Sequence, residues 1–259
     1  MEKTRIYTGT MGWSYPDWEG PFYALGTPDS RLLTEYAKVF DAIELDTTFY
    51  ASPRESTLAQ WARQTPDGFK FSAKVPRLIT HERRLVGPAS VKEARDFGLL
   101  LHEGLGKKLG RLILQLPPDF GPGEARNLLV FADALTELSL PWTVELRESG
   151  WQQTLIASQL AERGVALATT DRVAVPGAPL TYLRLLGEEN SVERFDQRII
   201  PRDTELDHWA EQLKAATGTV FVHVRNFYEG HAPATLTELR RRLGLSTPTP
   251  PGQQQMSLF

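Results

Sequence analysis

Eight short, apolar, β-branched runs recur along the chain, and the stretches between most of them have helical character. The runs cover residues 6–8, 42–45, 69–73, 111–116, 142–146, 165–168, 182–186 and 220–224. Several are close to continuously hydrophobic, the pattern of parallel strands buried on both faces. Helical stretches are expected over 30–40, 54–64, 91–105, 124–138, 152–163 and 203–216, with a last one over 234–243. Strands alternating with helices in this way predict the α/β class and a single (β/α)8 TIM-type barrel. The sixth connection, residues 172–179, is too short and too rich in proline and glycine for a helix. A length of 259 residues is what such barrels occupy as one domain. No internal repeat is visible, and the one compositional break follows Leu245. The expected organisation is a barrel over 1–245 and a flexible tail over 246–259.

Bulk properties exclude several functional classes. No cysteine is present, so disulfides, thiolate zinc sites, iron–sulfur clusters and cysteine nucleophiles are ruled out. A net charge of −3 is not the footprint of a protein that holds nucleic acid by bulk electrostatics. No apolar run is long enough for a membrane span, and no secretion signal opens the chain, so a cytoplasmic location is the expectation. No phosphate loop, dinucleotide fingerprint or nucleophile elbow occurs, so no organic cofactor is implied.

A TIM-type barrel builds its site at the carboxyl ends of its strands, which sorts the polar residues. That end collects Glu44 and Asp46 after the second strand, Lys74 after the third and Gln115 at the fourth. Glu145 and Arg147 follow at the fifth, Asp171 at the sixth, Arg184 at the seventh, and Arg225 with Asn226 at the eighth. His81 and His231 lie on the loops after strands three and eight. Glu44 and Asp46 are two apart and share a face, as do Glu145 and Arg147. Acids and arginines lining a barrel are expensive unless they pair or bind a ligand, so two readings stand. One is a substrate site in which Glu44 or Glu145 is a base, His81 an acid–base group, and Lys74, Arg147 and Arg184 hold an anion. The other is a self-satisfied network joining Glu145 to Arg184 or Arg147, and Lys74 to Glu44 or Asp46. A divalent metal on Glu44, Asp46, Glu145 or Asp171 also stays open. Trp13 and Tyr15 lead an aromatic loop after the first strand, and Tyr50 adds to the rim. Such a cluster stacks on a flat or sugar-like ligand, closes as a lid, or plugs the loop onto the barrel.

Several motifs carry a family resemblance. The runs I-E-L-D-T-T-F-Y from Ile43, F-K-F-S-A-K-V-P-R-L-I-T-H to His81, L-Q-L-P-P from Leu114, V-E-L-R-E-S-G-W to Trp151 and N-F-Y-E-G-H-A-P from Asn226 resemble the YecE-like family, or domain of unknown function 72. The resemblance extends in order from Gly9 to about Leu243 and implies a TIM-type barrel without an established reaction. Glu44, Lys74, His81, Glu145, Arg147 and Asn226 stand at matching positions. Asp46 stands where the family usually has asparagine, and Arg225 replaces the first of two asparagines, so both departures alter charge at the mouth.

The tail begins with proline, glycine and glutamine, which cannot bury enough apolar surface to order themselves, yet it ends Q-M-S-L-F. Gln255, Met256, Leu258 and Phe259 resemble the short peptide by which bacterial replication and repair proteins bind the sliding clamp, with methionine in place of leucine. The alternative is a tail without function, or one that folds back on its own barrel. The leading expectation is an enzyme, a hydrolase or lyase, acting on a small anionic, phosphate-bearing substrate such as a nucleic-acid component and recruited to the clamp. A non-catalytic ligand-binding or nucleic-acid-binding accessory protein and a metabolic sugar-phosphate enzyme are the alternatives.

Overall fold

The computed structural model describes residues 4–256. Nine short segments form one all-parallel sheet: β1 (Arg5–Met11), β2 (Ala42–Leu45), β3 (Lys70–Lys74), β4 (Leu109–Gln115), β5 (Trp142–Glu145), β6 (Ala166–Leu167), β7 (Thr169–Thr170), β8 (Tyr182–Leu185) and β9 (Thr219–Val224). The hydrogen-bonded order is β6-β5-β4-β3-β2-β1-β9-β8-β7. The two ends of this order, β6 and β7, are separated in the chain by Ala168 alone. β6 pairs with β5 through Thr143 and Ala166, and β7 pairs with β8 through Thr169 and Leu183. Together they fill the sixth of eight positions and close the barrel, so the expected eight strands appear as nine segments.

Helices cover the outside: α1 (Asp29–Tyr36), α2 (Glu55–Gln64), α3 (Pro88–Leu105), α4 (Ala125–Leu135), α5 (Ile156–Ala161), α6 (Asp203–Ala215) and α7 (Ala232–Arg242). Each turns an apolar stripe inward, as Leu101 and Phe97 do on α3 and Leu236 and Leu239 on α7, all buried. No helix joins β7 to β8, in line with the short proline- and glycine-rich sixth connection. No helix among the described residues is long and apolar enough to cross a membrane.

Inside the barrel, residues two apart on a strand stack in layers. The lower layer is apolar: Tyr7 stacks on Phe221 with centroids 5.2 Å apart, and Tyr182 lies 6.1 Å from Phe221. Two residues further along each strand the layer turns polar, placing Glu44 above Ala42, Gln115 above Ile113, Glu145 above Thr143 and Arg184 above Tyr182. The change occurs at the carboxyl ends of the strands, where a ligand can be reached. β1 passes β2 so closely that a Cβ at Gly9 would sit 2.0 Å from the Ala42 carbonyl oxygen.

Over its described part the tail returns to the barrel, ending in α8 (Pro251–Met256). The Gly252 N–H donates to the Phe22 carbonyl at 2.9 Å, and the Leu25 N–H donates to the Gln255 amide oxygen at 2.7 Å. Composition argued against ordering because it weighs apolar burial. The contact relies instead on absent bulk: a Cβ on Gly252 would lie 2.0 Å from the Gly20 carbonyl oxygen. The side chain of Met256 and residues 257–259, with Leu258 and Phe259 of the clamp-like peptide, lie outside the described residues.

Candidate functional site

Arg184, on β8, is the hub beneath the mouth and is buried together with both of its acidic partners. Its Nη2 donates to Glu44 Oε1 at 2.7 Å, its Nε to Glu44 Oε2 at 3.1 Å, and its Nη1 to Glu145 and, at 2.9 Å, to Gln115 Oε1. The Tyr182 hydroxyl donates to Glu44 Oε2 at 2.7 Å. Burial alone would push the Glu44 carboxyl up, but Arg184 and Lys74 outweigh it and hold it down at about 2. Burial likewise disfavours the charged guanidinium, yet Glu145 and Glu44 leave Arg184 held well above its ordinary value. The two glutamates are therefore bound to one and the same arginine, the geometry of the self-satisfied network.

Above this network opens a cavity of about 310 Å³. Its lining carries six cationic side chains, Lys74, Arg77, Arg147, Arg172, Arg184 and Arg225, against three carboxylates, Asp46, Glu145 and Glu189. Most of these charges have partners. Lys74 Nζ lies 2.6 Å from Asp46 Oδ1, Arg225 Nη2 donates to Glu189 at 3.1 Å, Arg77 Nη1 pairs with Glu82 at 2.9 Å, and Arg172 Nε donates to the Gly187 carbonyl at 2.9 Å. Arg147 differs: it makes no hydrogen bond to the described residues, and its closest acid is Glu145, 3.9 Å away and already bound to Arg184. Burial lowers the Arg147 pKa, and Arg172 and Arg184 add to that, against Glu145 and Glu189, which raise it. A half-buried guanidinium with free donors facing a cavity is a site for an anion.

His81 lines the same cavity. Its Nδ1 lies 2.9 Å from the Thr80 hydroxyl, and its ring packs edge-on against Phe49 at 5.1 Å. Burial and then the charges of Arg77 and Arg147 lower its pKa, which favours the neutral imidazole. Tyr50, 81% exposed, stands at the rim.

The mouth thus brings together Glu145, Asp46, Lys74, His81, Arg147, Arg184 and Tyr50, with Glu44 beneath them. Five other residues expected there are absent from its lining. Trp13 packs edge-on against Trp61 at 5.6 Å, and the Tyr15 hydroxyl donates to the Met11 carbonyl at 2.6 Å. With Trp18, Phe22 and Tyr23 buried below them, this loop is chiefly a plug on the rim. Asp171 accepts the N–H groups of Leu186 and Gly187 at 2.7 and 2.9 Å, which shapes the loop after β8. Asn226 accepts from Trp18 Nε1 at 3.2 Å and the Ala232 N–H at 3.0 Å, tying the first loop to α7. His231 is buried behind Trp18, their rings 6.0 Å apart. Position at a strand end could not separate these from the mouth, because a carboxylate or amide there serves a backbone turn as readily as a ligand.

Arg77, Arg172 and Glu189 were not singled out by the strand-end rule because they sit on loops whose path no periodicity fixes. Tyr182 and His223 are legible by alternation, Tyr182 two residues before Arg184 on β8 and His223 two residues before Arg225, which follows β9. As for a metal, Glu44 and Glu145 are committed to Arg184 and Asp46 to Lys74. Among the described residues no group of three or more histidines and carboxylates is arranged to hold one.

Comparison with known proteins agrees with this architecture. The family model for a protein of unknown function, DUF72, matches residues 7–256. YecE of Escherichia coli K12 is 32% identical over 182 residues, which is 69% of this chain and 62% of that protein. YunF of Bacillus subtilis is 28% identical over 204 residues, 74% of this chain and 70% of its own length. Among solved structures, a DUF72 family protein of Thermotoga maritima superposes with a TM-score of 0.73 at 24% identity, covering 93% of this chain and 99% of that one. The match to the Escherichia coli protein thus spans less than two thirds of that relative's length. With the family model extending over nearly the whole barrel, the chain belongs to the DUF72 family, whose members include YecE-like proteins.

Proposed function

We propose that the mouth binds a small phosphate-bearing substrate, a nucleic-acid component in the favoured reading, and promotes its hydrolysis or elimination. The observation that carries this is Arg147, a half-buried guanidinium without a hydrogen bond, set among further cations around one cavity. Arg147 takes the anion, with Lys74 and Arg225 completing the positive field. His81, kept neutral, is the group placed to accept a proton at the mouth, whereas Glu44 and Glu145 act through Arg184 by fixing its position. A second reading is favoured by that same commitment of both glutamates: a mouth that binds the ligand without turning it over.

Arg147→Gln is expected to weaken binding of phosphate-bearing ligands by about 10- to 100-fold, the loss of a charge-assisted contact. Thermal-shift titration against inorganic phosphate, nucleoside monophosphates and sugar phosphates checks it. Unchanged stabilisation in the variant would remove the anion site. His81→Asn separates the two readings once a ligand is found: an enzyme loses turnover at nearly constant affinity, while a binder has no turnover to lose.

The tail belongs to the same proposal. Gln255, Met256, Leu258 and Phe259 form a peptide for the bacterial sliding clamp, and engaging it would release the hydrogen bond between Gln255 and Leu25. Losing that one exposed hydrogen bond costs only about 0.5–1.5 kcal/mol, while the Gly252 N–H to the Phe22 carbonyl can stay in place as the anchor of the tail. Fluorescence anisotropy with purified clamp is expected to show micromolar binding by the full chain and none after truncation at Gln254. Equal binding by both forms would remove the tail from the account.

A further inference from the structure

A second cavity, about 560 Å³, lies beside the mouth between the loop after β2, the turn after β3 and α3. It shares Phe49, Tyr50 and Arg77 with the mouth, so the two spaces are neighbours on either side of these side chains. Its apolar wall includes Pro76, Leu78, Phe97 and Leu100. Its charges are the reverse of the mouth's: three carboxylates, Glu82, Glu93 and Asp96, and one cation, Arg77. Glu82 pairs with Arg77 of the same lining at 2.9 Å, and Glu93 and Asp96 pair with Arg83 and Lys92 outside it at 2.8 and 2.6 Å, leaving further lone pairs to accept hydrogen bonds.

This arrangement orients a ligand. An anionic group is drawn to the cationic mouth and repelled from the carboxylate rim, so the annex receives the uncharged end. That end is flat, because Tyr50, a residue 81% exposed, stands at the shared wall with its ring edge-on to Phe49 at 5.3 Å. An aromatic ring so placed adds nothing to the core, but it offers a face on which a planar group stacks. Carboxylate acceptors around the annex favour a planar group that carries N–H donors. We infer that the annex takes the amino-bearing base of a nucleoside phosphate whose phosphate sits at Arg147, with Tyr50 stacking on the base.

The inference rests on the anion site proposed above, and the test keeps the two apart. Isothermal titration of the full chain would compare inorganic phosphate, ribose 5-phosphate, adenosine and adenosine 5′-monophosphate. The monophosphate is expected to bind at least about tenfold more tightly than ribose 5-phosphate, the worth of one stacked base. Tyr50→Ala, a change at an exposed ring, is expected to erase that preference and leave ribose 5-phosphate within about twofold, while Tyr50→Phe restores it. Equal affinity for the two phosphates, or a preference that survives Tyr50→Ala, overturns the annex assignment and leaves the anion site standing. No binding by any of the phosphates overturns both.

Discussion

Replacing Arg184 with methionine is expected to cost about 3–5 kcal/mol of folding stability, because it strands two buried carboxylates without their counterion. Glu44 and Glu145 are both fully enclosed, and Arg184 supplies three of the hydrogen bonds they accept. Lys74 remains, but its Nζ is 4.0 Å from Glu44 and closer to Asp46. The pH dependence carries the signature. With Arg184 present the Glu44 carboxyl is held near 2, below its ordinary 4.5, so its contribution is whole above 4.5 and fades as the pH falls toward 2. Without Arg184, burial, the largest influence on Glu44, raises its carboxyl, so the deficit of the variant should shrink as acid neutralises it. Urea denaturation of both proteins at pH 7, 6 and 5 measures that deficit. The triple variant Arg184→Met, Glu44→Gln, Glu145→Gln should recover much of the loss, since replacing a whole buried network is often close to neutral. A single-variant deficit under about 1 kcal/mol would mean that water reaches the glutamates and that the network does not hold the barrel closed.

The alternation of strands and helices made the barrel legible, because burial on both faces leaves a continuous apolar run and a helix leaves a stripe. Strand ends also placed Glu44, Lys74, Glu145, Arg147 and Arg184 at one mouth. Pairing was less legible. Residues two apart on a strand share a face, yet which acid meets which cation depends on neighbours across the barrel, as with Glu44 on β2 and Arg184 on β8. Loop residues were least legible. Asp171 and Asn226 have the chemistry of ligands and serve as backbone acceptors, while Arg77 and Arg172 reach the mouth from turns without sequence periodicity. The tail shows the converse: composition measures apolar burial, and Gly252 is seated by a slot that only a residue without a Cβ can enter.

Acid is expected to destabilise the protein first through two histidines and only at lower pH through Glu44. His223 and His231 are buried, and burial is the leading cause that lowers each from an ordinary 6.5 to about 4. Around His223 the Glu44 and Asp46 charges favour protonation while Arg184 opposes it, and its ring stacks on Tyr182 at 5.1 Å. Asp196 favours protonation of His231 and does not offset its burial. Neither nitrogen of His223, nor Nε2 of His231, makes a well-aligned hydrogen bond; the Ile43 backbone favours protonation of His223 but does not offset its burial. In the unfolded chain both rings protonate near 6.5. A depressed folded value means that the unfolded state binds more protons between 6.5 and 4, so stability is complete above 6.5 and falls through that window. Each histidine accounts for about 3 kcal/mol over the whole window, and typical domains have only about 5–15 kcal/mol to lose. Chemical denaturation at half-unit intervals from pH 7 to 4.5 should therefore show a steep decline. His223→Gln with His231→Gln should flatten it while leaving the separate loss below pH 4.5 that belongs to Glu44. A wild-type curve already flat between 6.5 and 4.5 would show that both rings accept protons inside the fold, and the polar layer beneath the mouth would then have to be wet.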